Sequence, residues 1–404
     1  MEKILNFKSA LELVLEQTPT LESELIEVHR ATNRVLAEDT LAKLDLPALP
    51  ISLRDGYAIN SKEAPAGKKL KLGGEIYAGS QKIEKINPGE AFWIATGAVI
   101  PEGADAVIEE ERAEKTNGEI QLKEKVSSGA NIKPAKEEFA KGDLLLKKGT
   151  LLEPRSISLL IAGGYSELKV YKAPRLWVIA IGDELREVGK VIEDAQVYPS
   201  SGWLVAMLAQ NLGAELERFL IINDDPDSLK EALPTPEEVD LVLTVGGTGF
   251  GRKDIIIDAL SGLGIEVIFQ GIKIRPCHSL IFSRNQKQLI FSLPGRISAS
   301  EVGFELFVSR AILKMQNQSP ELKTIPVKIK SELQSPKGQL HIFRAILEKK
   351  DGELWAEVLR EKSAHKELSR AEGLILVPEE KELVKTGESL EFLLYSTNRR
   401  KFFI

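Results

Sequence analysis

Four stretches of the 404-residue chain hold residues whose types and spacing suit chemistry. In the first, the apolar run Val242-Leu243-Thr244-Val245 leads into Gly246-Gly247-Thr248-Gly249 and on to Asp254. A strand that ends in glycines before a helix can turn backbone N–H groups outward without Cβ obstruction, a geometry suited to phosphate. Tight turning alone also collects glycines after strands, and the spacing is neither the dinucleotide nor the P-loop pattern. In the second, the apolar residues 176–181 run into Gly182-Asp183-Glu184-Leu185. Adjacent carboxylates at a strand end can hold Mg²⁺ with its waters and an anionic substrate; a solvated loop has the same composition. The third comprises Asp55-Gly56-Tyr57-Ala58, Ala95-Thr96-Gly97-Ala98 and Ala104-Asp105-Ala106-Val107, which read as turns of a glycine-rich β domain and specify no reaction by spacing. The fourth, Lys273-Ile274-Arg275-Pro276-Cys277-His278-Ser279, mixes a cation, a thiol and an imidazole. Neighbouring Cys and His are rarely oriented for nucleophilic attack, whereas Arg275 can present forked donors to an anion.

These stretches need elements to position them. From Pro174 onward, strand-like and helix-like runs alternate: strands at 176–181, 219–222 and 239–245, helices at 200–212, 225–233 and 254–260, a hairpin of 280–283 with 288–293, and a helix over 299–315. Repeated β-α units predict a three-layer α/β domain with a mostly parallel sheet, whose ligands belong at the carboxyl ends of the strands. Before it, apolar residues at helical spacings from Phe7 to Arg34 are interrupted by Thr18-Pro19-Thr20, giving a helix, a turn and a second short element. A second helix is expected at 154–162, before Gly163-Gly164, and the two helical pieces are expected to pack together around an inserted β-rich stretch. Beyond Pro320, short strands at 325–329, 340–343, 354–358 and 374–377 predict a C-terminal β domain. The expected divisions are an elongated helical domain of 1–45 with 133–173, an inserted β-rich domain of 46–132, the α/β domain of 174–320 and the β domain of 321–404.

Composition narrows the function. A formal charge of -6 gives no global attraction for nucleic acid or an anionic membrane, so an anionic ligand must be held by local donors. One cysteine forbids an internal disulfide and any multi-cysteine metal site, and the four histidines show no His-x-x-x-His spacing. No run approaches the ~20 apolar residues of a membrane helix, and the N-terminus lacks a leader pattern, so a cytoplasmic location is expected.

Together the blocks Asp55-Gly56-Tyr57-Ala58, Thr96-Gly97-Ala98 to Val107, Gly182-Asp183-Glu184-Leu185, and Asp240 through Gly247 followed by Asp254 resemble the molybdopterin molybdenumtransferase family, relatives of the C-terminal part of gephyrin. The resemblance covers nearly the whole chain and implies an elongated homodimer, with an active site between the α/β domain of one subunit and the inserted domain of the other. It implies insertion of molybdate, or tungstate, into adenylated molybdopterin, with Mg²⁺-assisted release of AMP and a molybdopterin adenylyltransferase as a possible partner. The roles it implies put Glu184, Asp224 and Asp254 near metal or substrate, with Glu184 and Asp254 as the metal ligands. Gly246, Gly247, Thr248 and Gly249 receive the pterin phosphate, while Ser201, Arg275, His278 and Pro294 occupy binding positions. Asp55 and Thr96 approach from the partner subunit, and Lys133 and Glu138 match basic and acidic positions in charge.

Departures from the family pattern concentrate in the α/β part. Ile181 stands where the family has threonine, Arg252 where it has a carboxylate, Ser201 where it has asparagine, and Cys277-His278 where it has Gly-Lys. Pro294-Gly295-Arg296-Ile297 replaces Pro-Gly-Asn-Pro. Two further readings therefore stay open: a paralogue that binds or carries the pterin without turnover, and an enzyme closer to adenylyl transfer.

Overall fold

A computed structural model describes residues 4–248 and 255–396. The chain divides into two compact units, one of Met1–Glu24, Asn33–Val35 and Val170–Ile404, the other of Leu25–Thr32 with Leu36–Lys169.

The first unit is built on a six-stranded sheet. Its elements in chain order are β1 (Arg175–Ile181), α1 (Ser200–Asn211), β2 (Glu215–Ile222), α2 (Pro226–Ala232), β3 (Leu241–Val245), α3 (Ile255–Gly262), β4 (Glu266–Gln270), β5 (Ile281–Asn285) and β6 (Gln288–Leu293). The spatial order is β2-β1-β3-β6-β5-β4. β2, β1, β3 and β6 run parallel, while the β5–β6 and β5–β4 pairs are antiparallel. The continuous apolar runs read from the sequence are strands buried on both sides. Leu176 and Val178 of β1 enter one hydrophobic cluster with Val205, Ala206 and Ala209 of α1, while Trp177, Ile179 and Ile181 enter another with Leu229 of α2 and Ile256 and Leu260 of α3. α2 begins where Asp225 accepts the Ser228 N–H at 2.9 Å, with Pro226 as its first residue.

After β6 the chain enters α4 (Ile297–Gly303), which continues through a π-helical turn at Phe304–Val308 into α5 (Ser309–Met315). Helix Phe7–Gln17 buries Ala10 and Val14 in the same cluster, and the Phe7 ring meets Phe307 edge-on at 5.7 Å. Helix Pro154–Ala162 belongs to the other unit, where it packs on Val28–Arg30. The stretch after Pro19 is not helical. Pro19 biases Thr18 to extended geometry, φ -83° and ψ 115°, and the chain proceeds into strand Ser23–Glu27. Leu25, which shares a helical spacing with Leu21 and Val28, is 67% exposed there.

Strands Thr324–Ile329, Leu340–Lys350, Glu353–Val358, Gly373–Val377 and Ser389–Leu394 follow, with α6 (Ala364–Arg370) between the third and fourth. Leu340–Lys350 pairs with both Glu353–Val358 and Gly373–Val377, which closes these five strands into a barrel. In the second unit, Gly56–Ile59 lies between Ala106–Glu109 and Glu90–Ile94 in another six-stranded sheet. Gly56 is required there, since a Cβ would stand 2.0 Å from the Ile108 carbonyl oxygen.

A buried polar seam joins the long helix to the barrel. Glu305, in the π turn, accepts the Ser396 N–H at 3.0 Å and its hydroxyl at 3.2 Å. Burial pushes the Glu305 carboxyl up to about 7, against the Ser396 bonds and the Arg310 charge, while Glu301 pushes it further the same way. A raised carboxyl pKa means the folded state binds the extra proton. Stability is then greatest below the ordinary carboxyl value of 4.5 and declines until pH passes about 7. In urea denaturation, Glu305→Gln should remove about 1–3 kcal/mol of the decline between pH 5 and 8, leaving the part due to Glu301; an unchanged slope would contradict this.

Candidate functional site

β1 leads through α1 to a neighbour on one side, and β2 leads through α2 back past β1 to β3 on the other. Such a reversal opens a crevice at the carboxyl ends of the two strands between which it occurs. A cleft of about 290 Å³ lies there, lined by Ile181 and Glu184 after β1, Tyr198 and Ser201 at the start of α1, Val245 of β3, and Gly295 after β6. A larger groove of about 510 Å³ opens at the amino ends of the strands, beside Arg175, Glu215 and Asp240. Its charges are largely occupied with each other, Arg175 with Asp240 at 3.2 Å and Lys172 with Glu22 at 3.2 Å. Of the candidate residues, Glu184 and Ser201 line the smaller cleft.

Next to the lining residues Val245 and Gly295, the turns are held backbone to backbone. Gly246 has φ +107°, and a Cβ there would stand 2.3 Å from the Ile181 carbonyl oxygen; Gly247 has φ +69°. The Gly246 N–H donates to the Leu293 carbonyl at 3.0 Å, so the turns after β3 and β6 are bonded together. Pro294 is buried beside them, and Ser201 donates its hydroxyl to the Gly295 carbonyl at 2.9 Å, fixing the first turn of α1. Thr248 is buried with its hydroxyl 3.0 Å from that of Ser279. Gly249 and Asp254, both assigned from the sequence, lie outside the described residues.

On the acidic side, Glu184 folds its carboxylate over the turn, so that a Cβ on Gly182 would meet its Oε2 at 2.6 Å. Asp183 accepts the Asp224 N–H at 3.1 Å, which brings the ends of β1 and β2 together. Both carboxylates are exposed. Among the described residues no three His, Cys, Asp or Glu side chains form a metal cage. Two exposed carboxylates nevertheless fit Mg²⁺, which keeps most of its waters and prefers hard oxygen donors.

Among the described residues, the fourth sequence stretch meets the glycine turn only through Ser279 and Thr248, and none of it lines the cleft itself. Ile274–Arg275 forms a short strand parallel to Leu340–Lys350, and the Arg275 charge helps burial hold His341 below its ordinary value. Cys277 is fully buried, and burial pushes its thiol up, which removes it as a nucleophile. The exposed His278 accepts the Ile272 N–H on its carbonyl at 2.9 Å.

In the second unit, Asp55 and Thr96 do come together. The Thr96 N–H and hydroxyl donate to Asp55 Oδ1 at 2.7 and 2.8 Å, the backbone bond first and the hydroxyl second holding that exposed carboxyl below its usual value. Lys133 and Glu138 form an ion pair there. Sequence reasoning passed over three polar side chains of the cleft: Tyr198, Ser200 and His365, the last from α6 of the barrel domain.

The chain matches, end to end, three family models: the "MoeA N-terminal region (domain I and II)" over residues 5–164, a "probable molybdopterin binding domain" over 177–314, and the "MoeA C-terminal region (domain IV)" over 326–395. It is 34% identical over 317 residues to a molybdopterin molybdenumtransferase of Staphylococcus aureus, covering 76% of this chain and 75% of that one. The chain belongs to the molybdopterin molybdenumtransferase family. A Haemophilus influenzae member is 32% identical over 318 residues, 78% of each chain. The crystal structure of a molybdopterin biosynthesis MoeA protein from Pyrococcus horikoshii superposes with a TM-score of 0.80 at 28% identity, over 97% of this chain and 99% of that one. The molybdenumtransferase family thus accounts for a multidomain α/β architecture with a barrel, and the cleft lies in the part that matches its pterin-binding model. Among the described residues no helix is long and apolar enough to cross a membrane.

Two outcomes follow from the geometry. Gly246→Ala should cost about 2–4 kcal/mol in chemical denaturation, because positive φ and the Ile181 carbonyl both oppose a Cβ; a cost below the measurement error would refute the close approach. Thr96→Val should raise the Asp55 pKa part of the way towards the ordinary carboxylate value in an NMR titration, the backbone N–H bond remaining, and no movement would mean that the hydroxyl bond does not form in solution.

Proposed function

We propose that this protein inserts molybdate, or tungstate, into adenylated molybdopterin and releases AMP with the help of Mg²⁺. The observation that carries the reading is the position of the cleft: it opens at the strand-order reversal of the segment that matches the pterin-binding family model, with Glu184 on its lining and Val245, which leads into the glycine turn, beside it. Gly246, Gly247 and Thr248 offer a surface without bulky side chains against which a pterin phosphate can lie. Ser201 and Gly295 keep the opposite lip in place through their hydrogen bond. Glu184, with Asp183 and Asp224 next to it, would hold Mg²⁺ through hard oxygens. Bound there, the cation would neutralise phosphate charge as AMP departs.

The sequence resemblance assigns Asp55 and Thr96 to the same reaction from a second copy of the chain, and Gly249 and Asp254 to the first, while Lys133 and Glu138 match basic and acidic family positions in charge. On this reading the enzyme is a cytoplasmic homodimer, and a molybdopterin adenylyltransferase supplies its substrate.

AMP release from adenylated molybdopterin, with Mg²⁺ and either molybdate or tungstate, tests the proposal. Release that depends on one oxyanion and falls by about one to two orders of magnitude in Glu184→Gln supports it. Binding of the pterin with no release under either oxyanion would overturn the transferase reading in favour of a carrier. Attachment of AMP from ATP to molybdopterin would overturn it in favour of adenylyl transfer.

A further inference from the structure

The six-stranded sheet of the second unit carries two aromatic side chains that its core leaves partly uncovered. Tyr77 follows strand Lys69–Ile76 and is 58% exposed. Its ring lies against that of Trp93, in strand Glu90–Ile94, with centroids 5.3 Å apart and planes tilted by 52°. Trp93 is half-buried and packs against the cluster that holds Tyr57, Leu70 and Ile108. Across the sheet Trp93 stands between Tyr57 on one neighbouring strand and Glu75 on the other.

Each ring holds a carboxylate at its polar edge. The Tyr77 hydroxyl donates to Glu75 Oε2 at 2.7 Å, and the Trp93 indole N–H donates to Glu110 Oε2 at 3.3 Å. Both carboxylates are exposed. Both also act on the Tyr57 phenol, which is pushed up by burial first, then by the Glu110 charge and then by that of Glu75. The neighbouring Glu109 is taken up by Arg112 at 3.1 Å, whereas among the described residues no ion pair involves Glu75 or Glu110. Two negative charges thus flank two aromatic faces, which are themselves negative, so the patch attracts a cation and opposes the phosphate of a nucleotide. A guanidinium suits it better than an ammonium, because it lies flat on a ring and presents forked donors to a carboxylate at the same time. Tyr, Trp and Arg are also the side chains that anchor protein interfaces.

We propose that the Tyr77–Trp93 pair, with Glu75 and Glu110, is a docking site for a partner protein that presents an arginine-bearing segment. The guanidinium lies against the exposed Tyr77 ring and shares the two carboxylates with the ring donors, since an ionised carboxylate has acceptor capacity beyond one hydrogen bond. The site is formed within the second unit alone and uses no residue of the nucleotide cleft, so it stands or falls separately from the transferase reading.

The test is an NMR titration of the full-length protein, labelled at its tryptophan indoles, with tri-arginine, tri-lysine and AMP in separate arms. Trp93→Phe identifies the resonance among the four tryptophans. Tri-arginine should move the Trp93 signal saturably, and tri-lysine should bind about threefold more weakly or worse. Glu75→Gln and Glu110→Gln, at exposed positions and with the fold checked by circular dichroism, should each weaken tri-arginine binding about twofold to fivefold. No movement with tri-arginine overturns the proposal. Equal affinity for tri-lysine does so too, since it would reduce the patch to unspecific negative charge. Movement with AMP and none with tri-arginine overturns it in favour of a stacked nucleotide base. Tri-arginine affinity unchanged in both glutamate variants also overturns it, because the carboxylates would then hold nothing.

Discussion

The fold around the cleft depends on one close approach of backbones. At Gly246 the chain leaving β3 passes so near the end of β1 that the Ile181 carbonyl oxygen occupies the place a Cβ would need. The same residue donates to the Leu293 carbonyl of β6, and a Cβ on the neighbouring Gly295 would stand 3.4 Å from the Gly246 Cα. Three strand ends are thereby brought together with no side chain between them. Ser201 can reach Gly295 because that turn is fixed, which sets the first turn of α1 and leaves Glu184 at the open edge.

A second constraint lies behind the cleft, in the ionisable groups buried between the long helix and the barrel. Glu301 and Glu305 sit four residues apart, on one face of that helix, and meet Arg344 and Ser396. Burial raises both carboxyls, and the Arg344 charge opposes that rise at Glu301. Apolar side chains at these positions would cost less desolvation; the buried ionic arrangement instead fixes how the barrel meets the helix. That fixed junction brings α6 to the cleft, where the barrel takes part in shaping the site.

Much of this was legible in the sequence for a physical reason. Strands buried on both faces, such as β1 and β3, appear as uninterrupted apolar runs, and the turns that follow them must be glycine or acidic to serve a ligand. Glu184 and the Gly246 turn follow from that local logic, whereas Ser201 came only from the family resemblance. β4 did not, because as an edge strand it pairs only with β5 and its burial follows no period, with Glu266 exposed and Phe269 alone buried. The stretch after Pro19 misled because three leucine and valine positions share a helical spacing while the backbone is extended. His365 and Ser200 carried no local signal: their proximity exists only once the barrel has docked on α4. Arg275, expected near the ligand because guanidinium suits phosphate, sits on a short strand that pairs with His341 of the barrel.

The central claim is that the carboxyl-end cleft, and not the larger amino-end groove, receives the pterin nucleotide. A crystal structure of the full-length protein with adenylated molybdopterin tests this directly. The account predicts ligand density between Glu184, the Gly246–Gly247 backbone and Gly295, with the cleft side of α6 in contact. Density beside Arg175, Glu215 and Asp240 at the opposite end of the sheet would contradict it.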